Sequence, residues 1–427
     1  MRKDPTHANL VSTWTTLVLS ISIFCYSTIF IVSEYFDTIR MGDFLSFQPT
    51  DGPGSVSKNC LPRPLGFHYF GDFVSTVCHA QMSTPYGKEI GSNYFPFSYV
   101  MMSPFGPLMR LHVLAALLPF IIASSLLICI PIIKSMSYVS KAERYLTVLI
   151  AVVMTYPFIS FIDRGNAQGF VTGFLVTGIY LYMNSRFNES AIFLGLATAL
   201  KGYPIIFLII FVRKRQWRSL AISILTGGIA TIIPLLFFDG GMIKNIQGLM
   251  SRISGLQDSS FQFNAYNNSL KGLLFSIQEL KISPLTGVSH LLTDNYSMVA
   301  ALIAGIIIIA ALTLKFDLLE FSILASIFCC LLIDLTAGYV LTTFFVPVMI
   351  FLSGKYEISP RRSFWYMAGI AIILAPKGIP IKITPYWPEA TYSPSFNSVL
   401  SPLMQLGLIV SIVTSHICSK LKMSPTA

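Results

Sequence analysis

Charge is scarce in this sequence: Asp, Glu, Lys and Arg make up 11% of its 427 residues, against roughly 25% in a soluble domain. A chain so poor in charge cannot cover itself with hydrated surface, which excludes a soluble globular protein. Acidic residues are the rarer sign, 19 against 29 Lys and Arg, yet the basic excess does not point to nucleic acid. No folded basic domain exists to carry such binding. The densest cluster, Arg213-Lys214-Arg215-Gln216-Trp217-Arg218, suits a cytoplasmic anchor instead. Cys-x-x-Cys and His/Cys ligand spacings are missing, which argues against a zinc site. Cys25, Cys129, Cys329, Cys330 and Cys418 fall in apolar runs, and only Cys60 and Cys78 fall in a loop. Those two either pair as a disulfide in an oxidising compartment or remain thiols. The first apolar run is too long for a signal h-region and lacks a small-x-small cleavage site, so it reads as a signal anchor.

What the chain has in abundance is apolar sequence: 54% of residues are hydrophobic and the mean hydropathy is +0.68. Lipid offers no partner to backbone N–H and C=O groups, so each long apolar stretch must be a helix. Spans are expected near 11–32, 111–133, 145–162, 169–185, 219–238, 297–314, 319–336, 339–353, 364–379 and 399–418. The stretch 190–212 contains Lys201-Gly202-Tyr203-Pro204, and proline both removes a donor and restrains the residue before it. It is read as a re-entrant hairpin of two half-helices, since a full crossing would part Arg186 from the basic cluster at 213–218. The expected fold is therefore all-α and polytopic, a single integral membrane domain over 1–427 with about 10 full spans plus the hairpin.

With that topology the short-loop charges (Arg2, Lys3, Lys134, Lys141, Arg144, Arg186, 213–218, Lys315, Lys355, Arg361, Arg362, Lys420 and Lys422) share one side, cytoplasmic by the positive-inside rule. Both termini are then cytoplasmic, and the long loops 33–110, 239–296 and 380–398 face outward. Loops of this length usually have a task.

Within the first external loop, Asp72 precedes Pro85-Tyr86 and the run Asn93-Tyr94-Phe95-Pro96-Phe97. That run fits an interfacial aromatic belt or a platform for a lipid-linked ligand, and the sequence does not choose. A lone loop aspartate is commonly a turn or cap residue, and Asp37, Asp43 and Asp51 are read so. The polar turn Asp163-Arg164-Gly165-Asn166-Ala167-Gln168 joins two apolar segments. Charge at membrane depth costs several kcal/mol unless it faces a cavity or partner. Turn chemistry and lipid phosphate alone could explain Arg164, and snorkelling could explain Lys201. A lysine at a hairpin tip would instead face a polar cavity and suit a phosphate. Further on, Asn267-Asn268-Ser269-Leu270 lies in the second external loop.

Taken in order, these motifs resemble the GT-C superfamily of polyprenyl-phosphate-sugar-dependent glycosyltransferases, and within it glycosyltransferase family 87, the polyprenyl-phosphomannose-dependent α-1,2-mannosyltransferases of the phosphatidylinositol-mannoside type. The resemblance rests on Asp72 followed by Pro-Tyr and the aromatic/proline run, the Gly/Asn/Gln turn, Lys201-x-x-Pro204 before the basic Trp-containing loop, and Asn267-Asn268-Ser269-Leu270. It implies that Asp72 is the catalytic base of an inverting, metal-independent transfer from a polyprenyl-phosphate hexose to a glycolipid or glycan acceptor on the external face of the plasma (inner) membrane. Arg164, Asn166, Gln168, Lys201 and Tyr203 would hold the donor phosphate and sugar. Tyr86, Tyr94, Phe95, Asn267, Asn268 and Tyr339 would form a platform for the acceptor. No cofactor is implied beyond the lipid-linked donor, and no Asp-x-Asp near Asp72 marks a nucleotide-sugar and metal mechanism.

In a half-dry cavity Asp72 is expected to have a raised pKa. Two departures stand out: the turn reads Gly-Asn-Ala-Gln where the family has Gly-Gln-x-Asn, and Ala337-Gly338-Tyr339 stands where a His-Tyr pair is usual. Competing readings are a transporter or flippase for a lipid-linked or anionic solute, or a lipid-linked polysaccharide ligase or polymerase. Against transport, no duplicated half with a second broken segment is visible.

Overall fold

The computed structural model describes residues 5–35, 70–86, 94–257, 267–376 and 395–422. Among them the regular structure is all helical, and the chain is a polytopic all-α membrane protein. The α-helices in order are α1 (Pro5–Tyr35), α2 (Gly71–Ala80), α3 (Pro96–Met102), α4 (Phe105–Leu111), α5 (Val113–Ser135), α6 (Lys141–Val148), α7 (Tyr156–Arg164), α8 (Gln168–Met183), α9 (Phe187–Leu200), α10 (Ile209–Arg213), α11 (Trp217–Phe237), α12 (Gly241–Gln257), α13 (Leu270–Glu279), α14 (Leu285–Asp294), α15 (Tyr296–Thr313), α16 (Leu318–Leu331), α17 (Phe345–Ser353), α18 (Pro360–Leu374) and α19 (Phe396–Lys422).

Five of these contain stretches long and apolar enough to cross a membrane: His7–Ile31, Val113–Ser135, Trp217–Phe237, Tyr296–Thr313 and Phe396–Cys418. Lys141–Val153 and Tyr156–Arg164, joined across a short break, are together long and apolar enough for a sixth. Most of the other expected spans are helices of 10–17 residues, short of the roughly 20 that cross a bilayer in one run. They need not meet lipid on all sides. Almost every side chain of α8 is buried, so neighbouring protein shields it. At 338–353 a 3₁₀ turn, Gly338–Phe344, runs into α17, so that segment is two short pieces.

The chain forms two compact units. The first comprises 1–41, 132–156 and 263–427. Here Trp14 of α1 is fully buried and its indole donates to the Met367 carbonyl of α18 at 2.8 Å. Glu320, wholly buried on α16, meets His416 of α19 at 2.8 Å and Arg362 of α18 at 3.7 Å, tying three helices together.

The second unit comprises 42–131 and 157–262. Its centre is α9, packed against α8 and α11, with Phe174 and Phe193 edge to face at 5.8 Å. The segment before α5 contributes α2, α3 and α4. Phe73 of α2 is fully buried and packs on Phe105 and Phe120 at 5.9 and 5.1 Å between ring centres. That anchor sets α2 against α4 and α5. Cys78, also on α2, is disulfide-bonded, while Cys60 lies outside the described residues.

Candidate active site

Asp72 occupies the first turn of α2. The helix entry is held by Phe70, whose left-handed backbone (φ 57°) lets its N–H donate to the Asp163 carbonyl at 2.9 Å. Between this tether and the Phe73 anchor, the Asp72 carboxylate reaches the end of α7. There Arg164 ion-pairs with Oδ1, with the two side chains 10% and 16% exposed. Gly165 then turns the chain at φ +60°, and a Cβ there would sit 2.6 Å from the Phe73 Cβ. Only glycine satisfies both the left-handed turn and that approach.

Asn166 is the hub. Its Nδ2 donates to Asp72 Oδ2 and to the Tyr94 hydroxyl, both at 2.7 Å. Its Oδ1 accepts from the Gln168 N–H at 2.9 Å and from Lys201 Nζ at 3.2 Å. A primary amide has two donor hydrogens and two acceptor lone pairs, and all four are used at a side chain 1% exposed. The orientation is therefore fixed, nitrogen toward the carboxylate and oxygen toward the ammonium. Accepting the Gln168 N–H also ties the Asn166 side chain to the first residue of α8.

Lys201 sits at the break after α9, in extended backbone (φ −150°, ψ 128°). Its Nζ lies 5.7 Å from the Tyr94 ring centre, within cation–π range. Phe95 and α3 close this corner. A Cβ on Gly202 would be 3.1 Å from the Phe95 ring, and Ser98 Oγ donates to the Leu200 carbonyl at 2.9 Å. Gln168 is fully buried; the Tyr203 hydroxyl donates to its Oε1, and its Nε2 donates to Thr172 at 3.3 Å. Tyr86 is buried and donates to the Tyr94 carbonyl at 2.8 Å.

The structure thus brings Asp72, Arg164, Asn166, Lys201 and Tyr94 into one network, to which Gln168 is joined through its N–H and Tyr203 through Gln168. Tyr94, expected on an acceptor platform, instead shares the amide that holds the carboxylate. The expectation of a raised Asp72 pKa is overturned. Burial does push it up, but the Arg164 charge and hydrogen bond, the Asn166 hydrogen bond and the Lys201 charge together hold it below its ordinary value. At neutral pH Asp72 is a clamped carboxylate.

Asn267, Asn268 and Tyr339 belong to the other unit. Asn267 donates to the Asp334 carbonyl at 2.7 Å and accepts from the Thr336 N–H at 2.9 Å, while Asn268 donates to the Thr336 carbonyl at 3.2 Å. Both asparagines are fully buried, so they fasten 267–269 to 334–336. Gly338 packs on Tyr156, whose hydroxyl a Cβ would meet at 2.5 Å. Nearby, Lys271 and Asp334 pair at 3.1 Å beneath the Tyr296 ring. Sequence reading passed over this pair, because the sequence separation of 63 residues hides it.

A polytopic all-α chain whose short helices deliver one carboxylate to a fixed arginine, lysine and amide has the makings of a GT-C membrane transferase. It belongs to glycosyltransferase family 87, whose model matches residues 93–334, and the protein is a glycosyltransferase of the membrane. No curated protein matches the chain. The match takes in Tyr94, Phe95, Arg164, Asn166, Gln168, Lys201, Tyr203, Asn267 and Asn268. Asp72 and Tyr86 precede it and Tyr339 follows it.

Proposed function

We propose that the protein transfers a hexose, mannose by the family resemblance, from a polyprenyl-phosphate donor to a glycolipid or glycan hydroxyl at the external face of the plasma membrane. The observation that carries the reading is the Asp72–Arg164–Asn166–Lys201 network: one carboxylate with two cations beside it. In the reaction, the Asp72 carboxylate takes the proton of the acceptor hydroxyl as that oxygen bonds to the anomeric carbon. The bond from the anomeric carbon to the phosphate oxygen breaks, and its electron pair leaves with polyprenyl phosphate. Attack opposite the leaving group inverts the anomeric centre. Arg164 and Lys201 hold the phosphate as its charge grows, an interaction strongest where water is excluded. Asn166 is a positioning residue, aiming the carboxylate and the ammonium together.

Two features support the external placement. The short-loop basic residues favour the opposite side, and the disulfide at Cys78 on α2 suits an oxidising compartment. The Lys201–Asn166 bond supports the re-entrant reading of 190–212. A tip at Lys201 would meet the α7–α8 turn through this bond, after the 14 residues of α9 have climbed about 21 Å at 1.5 Å per residue.

The test gives purified, reconstituted protein a radiolabelled polyprenyl-phosphate mannose and candidate glycolipid acceptors. Covalent transfer by the wild type, lost in Asp72→Asn that still reconstitutes as a monodisperse protein with a cooperative, if earlier, unfolding transition, is the expected result. Full transfer by Asp72→Asn removes Asp72 from catalysis. Vectorial movement of the lipid-linked sugar without transfer would replace the enzyme reading with transport.

A further inference from the structure

Helix α12 follows the membrane-crossing α11 after only Phe238, Asp239 and Gly240, and it shows three different faces. At about 100° per residue, Asn245, Gly248, Leu249 and Arg252 share one side. That side is docked on protein. Leu249 joins the buried cluster of Tyr86, Tyr99 and Leu235. A Cβ on Gly248 would come within 2.9 Å of the Tyr86 Cβ and 3.0 Å of its carbonyl oxygen, so glycine permits the approach. Asn245 Nδ2 donates to the carbonyls of Phe238, Asp239 and Gly241 at 3.3, 3.3 and 2.9 Å, fixing the corner between the helices.

The remaining circumference is split. One edge is polar and exposed: Lys244, Gln247, Ser251 and Ser254. The other is apolar and exposed: Met242, Ile243, Ile246 and Met250, with Ile243 at 70% and Met250 at 60%. This edge is no isolated patch in the chain. It follows within a few residues of the exposed apolar residues of α11, where Ile229, Ile232, Ile233, Leu236 and Phe237 are also uncovered. An apolar edge running on from a span, with a wet edge beside it, matches the boundary layer of a bilayer rather than a folded partner.

We infer that α12 is an interfacial helix. Met242, Ile243, Ile246 and Met250 lie in the acyl-chain layer of the leaflet where α11 ends, and Lys244 faces its headgroup phosphates. The docked side sets the depth of the site, because Tyr86 beneath Gly248 holds the Tyr94 carbonyl and the Tyr94 hydroxyl meets Asn166 beside Asp72. This last step rests on the transferase reading: a lipid-linked donor presents its phosphate at headgroup level, where α12 keeps the carboxylate.

The membrane contact is tested without any sugar transfer. Cys25, Cys129 and Cys418 are replaced by alanine, and nitroxides are attached at Ile243→Cys, Met250→Cys, Lys244→Cys and Ser251→Cys in phosphatidylcholine nanodiscs. Power saturation by oxygen, which concentrates in acyl chains, is compared with saturation by a neutral water-soluble nickel chelate. Labels at 243 and 250 are expected to favour oxygen, and those at 244 and 251 nickel. Equal access of nickel to all four positions overturns the inference, as does equal shielding of all four. A second measurement uses the unsubstituted protein in bilayers with a carbene-generating lipid. Adducts are expected on the tryptic peptide 245–252, at Ile246 or Met250, and their absence also overturns it. Loss of the transferase reading would leave these outcomes unmoved, and the reverse holds.

Discussion

Replacing Arg164 by glutamine separates electrostatics from mere packing at the site. The Arg164–Asp72 pair is nearly buried, with side chains 10% and 16% exposed, so removing the arginine strands a carboxylate that water reaches poorly. Breaking a buried pair from one side costs about 3–5 kcal/mol. The lower end applies, at about 3 kcal/mol, because Asn166 still donates to Oδ2 and Lys201 still contributes its charge. Asp72→Asn combined with Arg164→Gln removes both charges. The double variant is therefore expected to be more stable than Arg164→Gln alone, with a coupling well above the ~0.5 kcal/mol error of additivity. Thermal unfolding in detergent supplies the ranking, and a double-mutant cycle supplies the coupling. The same single substitution has a kinetic signature. Without Arg164 the burial that pushes the Asp72 pKa up loses its main opponent, so the acid limb of kcat/KM for residual activity moves to higher pH. Additive destabilisation together with an unmoved acid limb would refute the clamp.

Three further outcomes follow from the same geometry. Gly165→Ala forces a left-handed alanine, about 1–2 kcal/mol, and drives a methyl to 2.6 Å from Phe73. Lowered yield and an earlier melting transition are expected, and wild-type stability would show that the turn is not constrained. Lys201→Met removes a cation proposed to hold the donor phosphate. A charged hydrogen bond contributes about 1.5–3 kcal/mol, so kcat/KM for the donor should fall about 10- to 100-fold, whereas unchanged kinetics would remove Lys201 from donor binding. Asp72, with its pKa lowered on folding, stabilises the fold above the unfolded carboxyl pKa, and this contribution is lost as pH falls through its lower folded value. Wild type should accordingly lose more stability than Asp72→Asn on acidification, as melting curves from neutral to strongly acid pH would show; identical losses would count against the ion pair.

The elements that lipid dictates were the easiest to read. Apolar length alone located α1, α5, α11, α15 and α19, since backbone satisfaction leaves no choice but helix. The shorter helices look like full spans in the sequence because hydropathy does not distinguish burial in lipid from burial in protein: α8 is as apolar as a span and is covered by its neighbours. At the site, residue types carried far and orientation did not. Arg164, Asn166 and Lys201 stood out as costly polar groups in apolar surroundings, and Asp72 as a carboxylate ahead of an aromatic run. Their meeting depends on contacts that span 92 residues for Arg164–Asp72 and 35 for Lys201–Asn166, which one sequence does not display.

The direction of the Asp72 shift is hidden from the sequence for a related reason. From sequence, burial could be foreseen but its counterweights could not, and the outcome depends on which is larger. The exchanged amides of the turn become intelligible only in three dimensions. Residue 166 must reach a carboxylate, a hydroxyl, a backbone N–H and an ammonium from one short side chain, and asparagine does so with every valence used. Gln168, two residues on, faces inward and meets Tyr203 and Thr172, where a longer arm is what the spacing needs. The order of the two amides therefore follows reach: the short one is placed at the carboxylate, and the long one in the packing beside the lysine-bearing break after α9.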